Sequence, residues 1–402
     1  TVAAGATLTL DGGITIDGNN DWVLDMDTIN ELLYADVAPL ASLNFVTPES
    51  GAPVATDYML KVNGGVVLNN ATVQNNCGDV QTSVFYISST GKLTMNSGSL
   101  ITHNAAINTA NVDQVNASVA YVLKGGTFTI NEGAEVSYNY SKGNNSTVTY
   151  LQGQLTLNGG SFNHNVNAHC CGTVAMIDGG TFTMKGGSIC ENTDLVNKTS
   201  NSIGISGAIY LHSNSKFVMD GGIIEKNYSN GYTTFYSAKT TGVVRLNAGT
   251  VRQEPRTVSD LYSSGFLGAL YIGEDMIFEG GSIYIRNNFT FNTTIDSDVT
   301  IESQSKTTPI VFSGDGVITG DVHQNYAVDK KNKDINSTTT IQGGSYLGEF
   351  TIDAPTYFSV TGGRFKTVPT EYLVADAEIF YDSKTELYSV YSGNVASFGG
   401  TE

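Results

Sequence analysis

The residues best suited by type to do chemistry are scattered carboxylates, of which Asp178 and Asp220 each precede a pair of glycines. Cleavage of a glycosidic bond uses two carboxyl groups about 5 to 10 Å apart, one of which acts as the acid. Stacked repeats would allow such a pair to meet from distant parts of the chain. An aspartate beside glycine is also an ordinary turn residue, because its side chain hydrogen-bonds to nearby backbone. The sequence therefore favours a turn role for both residues and leaves an atypical carboxylate site as the alternative.

Motifs of known polysaccharide-cleaving enzymes are nearly absent. Polygalacturonase-like enzymes carry Asn-Thr-Asp, Asp-Asp, Gly-His-Gly and Arg-Ile-Lys, and only the first occurs here, as Asn192-Thr193-Asp194. The sequence also contains no serine-nucleophile motif in a strand-to-helix context and no phosphate-binding glycine loop. We therefore predict that the chain is not an enzyme. A polysaccharide lyase or glycoside hydrolase is the alternative.

The cysteines do not have the spacing of a metal site. Cys77 stands alone, Cys170 and Cys171 are adjacent, and Cys190 follows with no Cys-x-x-Cys motif. Zinc sites use paired cysteines or histidines at short spacing, and calcium loops use clustered aspartates, neither of which is present. We predict no metal and no cofactor. Pairing of Cys190 with Cys170 or Cys171, a vicinal disulfide between Cys170 and Cys171, and free thiols all remain open.

Composition and charge exclude several classes of protein. The 402 residues include 45 Gly but only 14% charged residues, and the formal net charge is −18. A strongly acidic chain repels polyanions, so nucleic acid and anionic membranes are not expected partners. No stretch of about 18 apolar residues is present, so no membrane insertion is predicted for this segment. The abrupt ends at Thr1 and Glu402 suggest an excised piece of a longer protein. This segment is predicted to be monomeric.

A degenerate repeat, Gly-Gly-x-hydrophobic-x-x-Asn, runs along most of the chain. Its asparagines lie 26 to 35 residues apart, except for a last gap of 61. They are Asn76, Asn104, Asn139, Asn165, Asn192, Asn227 and Asn288. Variable spacing around a constant motif is typical of a solenoid whose loops differ in length. Asparagine tolerates the left-handed conformation, and equivalent asparagines can hydrogen-bond in a ladder. His103 and His164 precede two of these asparagines, which is typical of a tolerated surface position.

Two short hydrophobic triplets precede each asparagine. The first triplets are residues 85–87, 121–123, 175–177, 209–211 and 270–272. The second are residues 93–95, 128–130, 155–157, 182–184 and 217–219. Outer residues of an extended triplet face the core and the middle one faces outward, which predicts an outward column of Thr94, Thr129, Thr156 and Thr183. A flat threonine array can order water into an ice-like layer, but Val218 would interrupt this one.

The triplets and glycine corners predict an all-β fold, a right-handed parallel β-helix with a small C-terminal β capping element. Propellers and sandwiches are the competing all-β folds, but they have longer alternating strands and hairpin turns. The β-helix is expected over residues 1–365, with irregular insertions at about 20–57 and 228–265. Residues 366–402 are expected to form the cap, a helical turn followed by a β-hairpin that covers the open edge.

The repeat resembles the pectate-lyase-like β-helix regions of large surface proteins of gut Gram-positive bacteria. Residues 180–192, GTFTMKGGSICEN, carry this resemblance, and the closing TGGRF at 361–365 with Pro369 and Tyr372 is similar to their last element. The resemblance covers most of the chain and implies an exported, wall-attached, adhesin-like protein. It reports architecture more than activity, because one fold serves many functions.

The expected function is therefore non-enzymatic binding by loops on a rigid rod at the bacterial cell surface. The expected partners are host or dietary glycans or extracellular proteins. Sugar recognition uses aromatic side chains with nearby amides or carboxylates, and the two irregular stretches contain the best candidates. These candidate ligand-binding residues are Trp22, Tyr34, Tyr232, Phe235 and Tyr236. Coverage of the core by the same aromatics is the competing interpretation.

Overall fold

A computed structural model describes residues 1–18, 58–78, 83–107, 116–142, 146–167, 171–194, 205–229, 232–253, 263–329 and 331–393. These residues form a parallel β-helix, which confirms the predicted fold class. Trp22, Tyr34 and the insertion expected at 20–57 lie outside the described residues. None of the helices in the described ranges has the length and apolar character that crossing a bilayer requires.

Each coil contains three main strands, and each strand pairs in parallel with its equivalent in the next coil. The first strands are Leu60–Val62, Phe85–Ile87, Asn116–Val122, Ser146–Leu151, Ala175–Ile177, Ile209–Leu211, Phe235–Ser237, Ser263–Phe266, Val322–Gln324 and Phe350–Ile352. The second strands are Thr7–Asp11, Gly65–Asn69, Lys92–Met95, Thr127–Ile130, Lys216–Met219, Phe289–Phe291, Ile310–Ser313, Thr339–Ile341 and Phe358–Val360. The third strands are Thr15–Asp17, Thr72–Gln74, Leu100–Thr102, Glu135–Ser137, Ile223–Glu225, Val317–Ile318, Ser345–Tyr346 and Gly362–Phe365.

Several strands continue through a corner or add to the three main columns. Gln154–Asn163, Thr181–Cys190 and Val243–Arg252 each supply a second and a third strand. Ala269–Ile285 supplies a second strand, a third strand and the first strand of the following coil. Thr294–Ile301 supplies a third strand and the first strand of the following coil. Six short fourth strands form a separate sheet: Cys77–Gly78, Ala105–Ile107, Tyr140–Lys142, Val166–Asn167, Thr193–Asp194 and Tyr228–Ser229. Cys171–Gly172 pairs with Ile205–Ser206.

The alternation of the triplets explains the core. Phe128, Phe182 and Phe217 are completely buried, while the threonines between the inward residues point out. The strand pairing places Thr94, Thr129, Thr156 and Thr183 in register, which confirms the predicted threonine column. The strands pair in parallel, and their inward and outward residues alternate in the same way. Similar side chains therefore stack from coil to coil, and one continuous apolar core fills the rod.

The predicted asparagine ladder is confirmed from Asn104 to Asn227, and Asn76 joins it only through its backbone N–H, which donates to Oδ1 of Asn104. Asn104 donates through Nδ2 to Oδ1 of Asn139 at 3.1 Å, and Asn139 donates to Asn165 at 3.0 Å. The series continues through Asn192 to Asn227, with amide contacts of 3.0 and 2.9 Å. Four of these side chains have no exposed area: Asn104, Asn139, Asn165 and Asn192. Each also donates to two backbone carbonyls, so the ladder satisfies groups that a tight corner would otherwise bury unpaired.

The left-handed residue at this corner is the one before the asparagine, not the asparagine itself as predicted. Asn75, His103, Tyr138, His164, Glu191 and Lys226 all have φ between 52° and 58°. The asparagine instead turns its amide inward, where it replaces backbone hydrogen bonds that the corner interrupts. The preceding side chain points outward, which explains why its identity varies.

The repeat alignment was wrong for Asn288 and for the triplet at 270–272. Ile285 pairs as a first strand with Phe266, and Leu270 pairs as a second strand with Val244. Asn288 is consequently exposed at the corner before Phe289–Phe291. From residue 263 onward the coils run directly from the third strand to the next first strand, so they are shorter and lack the ladder position.

The stretch expected to be irregular at 228–265 contains ordinary coil strands. Phe235–Ser237 pairs with Ile209–Leu211, and Val243–Arg252 pairs on both sides. The stretch lacks the Gly-Gly pair because Ala248-Gly249 takes its place, with φ of 115° at Gly249. The corner needs only the second glycine of the pair, here Gly249, whereas the repeat motif required both.

The C-terminal end has a different architecture. Short 3-10 helices occur at Pro355–Tyr357 and Thr370–Tyr372, and the strands Glu378–Asp382 and Leu387–Tyr391 form an antiparallel hairpin. Leu387–Tyr391 also pairs in antiparallel fashion with Gly362–Phe365, the last third strand. The hairpin therefore covers an edge of the last coil, as the predicted cap should.

Candidate functional site

The middle residues of the first strands form an outward column that is unusually aromatic. In register, the column contains Lys61, Tyr86, Tyr121, Tyr150, Met176, Tyr210, Tyr236, Gly265 and Tyr284. We call these residues, together with Tyr58 and Tyr232 that stack on them, the tyrosine column. The equivalent position of the second strands holds mostly threonine, so strand propensity alone does not account for six tyrosines here.

The rings of the column stack on one another. Centroids are 5.1 Å apart between Tyr58 and Tyr86, 5.7 Å between Tyr86 and Tyr121, and 4.6 Å between Tyr121 and Tyr150. The first two pairs are nearly parallel, at 23° and 14°. Because the ring faces lie against each other, the parts that reach solvent are ring edges and hydroxyl groups.

The middle of the column is covered. Tyr150, Met176, Tyr210 and Tyr236 are 3 to 8% exposed, and they pack with Ala117, Cys171 and each other in a small cluster outside the main core. Tyr58, Tyr86 and Tyr121 are half-buried. At the N-terminal end of the column, solvent therefore reaches these three tyrosines, which we call the tyrosine row.

Tyr232 completes the column at its other end. The position beside Tyr236 is Gly265, and a Cβ there would lie 2.5 Å from the ring of Tyr232. The ring of Tyr232 occupies that space and stacks on Tyr236, with centroids 4.6 Å apart and planes 12° apart. The structure thus brings together two of the residues that the sequence singled out, Tyr232 and Tyr236.

Arg286 anchors this end of the column. Its guanidinium pairs with Glu302 through Nε at 2.8 Å and donates from Nη2 to the hydroxyl of Tyr232 at 2.9 Å. It also lies 5.9 Å from the ring centres of Tyr232 and Tyr284, within range of a cation–π interaction. With 8% of Arg286 exposed, the group holds Tyr232 in place and offers little surface to a ligand.

The ionisation of Tyr236 should make the stability of the protein depend on pH. Burial raises the pKa of Tyr236 to about 12 from its ordinary value of 10.0. The neutral phenol is favoured in the folded state, so its contribution is complete below pH 10 and is lost as the pH rises from about 10 to 12. Between pH 10 and pH 12 the unfolding free energy of the wild type should fall by up to about 3 kcal/mol more than that of Tyr236→Phe, because phenylalanine has no phenol to ionise. Urea unfolding at both pH values measures the difference, and identical losses in the two proteins would refute it.

The remaining predicted site residues are placed differently. Phe235 has no exposed area, and its ring packs between Phe217 and Phe266 at 5.3 and 6.0 Å. It belongs to the main core and offers no face to a ligand, because it is an outer residue of its triplet. Trp22 and Tyr34 lie outside the described residues, so their role stays a prediction.

Asp178 is the centre of a polar group beside the tyrosine column. One carboxylate oxygen accepts from the hydroxyl of Tyr150 at 2.8 Å, and the other lies 2.9 Å from Nδ1 of His212. Gln152 donates to the same hydroxyl at 3.3 Å. Burial, and then the hydrogen bond to Asp178, raise the pKa of Tyr150, so its phenol stays neutral and is a poor base. Asp178 thus fixes the orientation of the His212 ring through its contact with Nδ1.

The other candidate catalytic residues have structural partners. Asp220 accepts from Nδ2 of Asn247 at 2.6 Å at an exposed corner, as expected of a turn residue. Asn192 is a ladder residue, and Asp194 is buried in a fourth strand. The rings of His103 and His164 stack on Tyr138, with centroids 5.5 and 5.0 Å away. Asp220, Asn192 and the two histidines therefore stabilise corners of the coil, and Asp194 belongs to the sheet of fourth strands.

The described residues show neither a reactive cysteine thiol nor a group of side chains that could bind a metal ion. Cys190 carries a free thiol, so it does not pair with Cys170 or Cys171. Burial raises its pKa to about 11, which keeps it protonated and unreactive at neutral pH. No group of three or more His, Cys, Asp or Glu side chains that could hold a metal ion occurs among these residues.

Sequence reasoning missed most of the tyrosine column. Tyr86 and Tyr210 were visible as middle residues of first triplets, but only the inward residues of the triplets were considered. The triplet predicted at 121–123 was one residue out of register, because Val122 is buried in the core and Tyr121 pairs with Tyr86 in the outward column. Aligning the middle positions would have revealed the column. No pattern in the sequence indicates that Tyr232 and Arg286 belong to this column, because both residues lie outside the triplets.

The described geometry thus comprises a parallel β-helix, an aromatic column along its first strands and a polar group around Asp178. The fold and these groups are the basis for assigning a function. No protein-family model matches this sequence, and no curated protein and no solved structure matches it either.

Proposed function

We propose that this chain is a non-enzymatic, glycan-binding segment of an adhesin-like protein on a bacterial cell surface. Host or dietary glycans are the proposed ligands, and extracellular proteins are the other class. The tyrosine row is the proposed contact surface. Its half-buried, stacked rings at successive coils are the single observation on which this proposal depends.

The row suits an extended, hydroxylated ligand. The three rings are fixed by their stacking, so binding would cost little side-chain entropy. Tyrosine presents an apolar edge together with a hydroxyl that both donates and accepts hydrogen bonds. Equivalent positions of neighbouring coils repeat at the strand spacing of about 4.8 Å. A polymer lying along the rod would therefore meet a similar group at each coil.

Charge is also compatible with such a ligand. Lys61 lies 5.7 Å from the ring centre of Tyr86 and provides a cation at the row. Acidic glycans would approach this cation more easily than the rest of a chain with net charge −18, and neutral glycans would not be repelled. The row thus combines aromatic, hydroxyl and cationic groups on an otherwise acidic protein.

Removal of two hydroxyls tests the proposal. We expect the chain to bind members of a glycan array, and the double variant Tyr86→Phe/Tyr121→Phe to bind the best ligand about tenfold more weakly. The variant keeps the stacked rings and loses only hydrogen bonds, each of which contributes about 0.5 to 1.5 kcal/mol. Calorimetric titration of wild type and variant with that ligand gives the ratio.

The threonine column supplies the matched control. Thr129→Val/Thr156→Val also removes two outward hydroxyls from neighbouring coils and should leave the affinity unchanged. Unaltered affinity of the tyrosine variant would exclude the row as the site. If the array shows no ligand but an extracellular protein binds through the same tyrosines, the ligand is a protein and the glycan proposal is wrong.

A carbohydrate-active enzyme is the second candidate, and one observation favours it. Asp178 orients His212 through Nδ1, which is how a carboxylate positions a histidine to act as a base. Hydrolysis would need a second carboxylate, and none contacts this group among the described residues. Assays for new reducing ends and unsaturated products on polyuronates and mucin glycans distinguish the candidates. Product formation that is lost in His212→Asn would support the enzyme.

A further inference from the structure

A polar cleft of about 510 Å³ opens where the last coils meet the C-terminal hairpin. Its floor is formed by two glycine pairs, Gly343-Gly344 and Gly362-Gly363, one from each of two successive coils. The side chains that rise around this floor include Asp315, Gln342, Arg364 and Tyr391. The cleft lies many coils from the tyrosine row and does not depend on the function proposed for that row.

The cleft exists because the corner leaves no room for side chains. A Cβ at Gly362 would lie 2.5 Å from the carbonyl oxygen of Gln342, so the backbones of successive coils approach closely there. The antiparallel pairing sets Tyr391 directly opposite Gly362. Gly362 therefore places no side chain beside Tyr391.

Two opposite charges line the cleft without meeting. Within the described ranges, neither the guanidinium of Arg364 nor the carboxylate of Asp315 makes an ion pair within 4.0 Å or a side-chain hydrogen bond. The fold holds them on strands of different coils, with Arg364 in Gly362–Phe365 and Asp315 before Val317–Ile318. A guanidinium binds a carboxylate in a planar, two-point geometry, and a carboxylate accepts hydrogen bonds from hydroxyls.

Tyr391 provides an aromatic wall. It is 49% exposed, and the edge-on ring of Phe380, 6.0 Å away, supports it from the neighbouring strand. The side chains of Arg364 and Tyr391 lie on the same face of the sheet, because Gly362 pairs with Tyr391 and Arg364 pairs with Ser389. An aromatic surface, a cation and an accepting carboxylate therefore surround one cavity.

We propose that this cleft binds a sugar that carries a carboxylate, such as a uronic acid residue of a glycan. The sugar carboxylate would pair with Arg364, its hydroxyls would donate to Asp315 and Gln342, and its apolar face would lie against Tyr391. An inorganic anion would leave Tyr391 and Asp315 unused. A neutral sugar would leave the guanidinium of Arg364 without its anionic partner.

The test compares two sugars that differ only in the group at carbon 6. Methyl β-D-glucuronide carries a carboxylate, and methyl β-D-glucoside carries a hydroxymethyl group. In NMR titrations of the whole chain we expect the glucuronide to bind about tenfold more tightly, as a charge-assisted pair would provide. Arg364→Gln should abolish this preference by weakening only the glucuronide. Tyr391→Ala should weaken both sugars, which separates the aromatic wall from the charge.

Arg245→Gln is the matched control, because Arg245 is another outward arginine of the rod, 4.4 Å from the ring centre of Tyr271. It should leave both affinities unchanged, and unaltered melting temperatures should show that all variants fold. Equal binding of the two sugars by the wild type, or a preference that survives in Arg364→Gln, would overturn the proposal. Displacement of the glucuronide by an equal concentration of acetate would also overturn it, because the site would then recognise a carboxylate alone.

Discussion

Asn139→Ala should lower the free energy of unfolding by about 3 to 5 kcal/mol. The Asn139 side chain donates to the carbonyls of Ile101 and Ser137, and its Oδ1 accepts from both the backbone and the side chain of Asn104. Alanine would leave these groups buried without partners, and each costs about 1 to 3 kcal/mol. Equilibrium urea unfolding followed by circular dichroism measures the change.

A second, exposed asparagine ladder offers the control for this prediction. Asn158 donates to Asn131 at 2.8 Å, again between equivalent positions of successive coils but at the surface of the rod. Asn158→Ala should change the unfolding free energy by about 0.5 kcal/mol or less, because water replaces the lost partner. Equal losses of unfolding free energy in the two variants would mean that burial does not determine how much an asparagine of the ladder stabilises the protein.

Gly187→Ala should destabilise the protein by about 4 kcal/mol or more. Gly187 has a φ of +83°, and a Cβ on it would lie 2.0 Å from the carbonyl oxygen of Gly160 in the preceding coil. That oxygen belongs to the backbone of a paired strand, so it cannot move without disturbing the pairing of the two coils. Urea unfolding of the variant measures the loss.

Gly179 separates the two causes of this effect. Its φ is +78°, yet a Cβ there would meet nothing within 4 Å. Gly179→Ala should therefore cost only the left-handed conformation, about 1 to 2 kcal/mol. A similar cost at both positions would show that the close approach of the coils at Gly187 relaxes freely.

These two effects explain why the repeat motif reports architecture rather than function. Its glycine is needed where coils approach each other, and its asparagine is needed where the corner interrupts backbone hydrogen bonds. Substitution at either position should damage the fold before it affects any binding. The residues proposed to bind ligands instead occupy outward positions, Tyr86 and Tyr121 in one place and Arg364 and Tyr391 in another.

Much of the fold could be predicted from the sequence because its signals are local. A triplet such as residues 182–184 defines by alternation which side chains face the core, and Gly187 and Asn192 mark the corners on either side of the next strand. The threonine column and the ladder follow once equivalent triplets are aligned. The hairpin at Glu378–Asp382 and Leu387–Tyr391 was also visible as two hydrophobic strands beyond the glycine pair Gly362-Gly363.

The candidate site depended on tertiary structure, because coils of different length decide which residues become neighbours. Arg286 bonds to Tyr232 across 54 residues, and Tyr232 takes the space above Gly265, although neither residue belongs to a triplet. Shortening of the coils after residue 263 moved Asn288 out of the ladder, and inward alternation placed Phe235 in the core. The sequence by itself determined the coil and its corners, since these follow from local backbone preference. Only the tertiary structure decided which tyrosines stack and which remain accessible, since stacking depends on the register between coils.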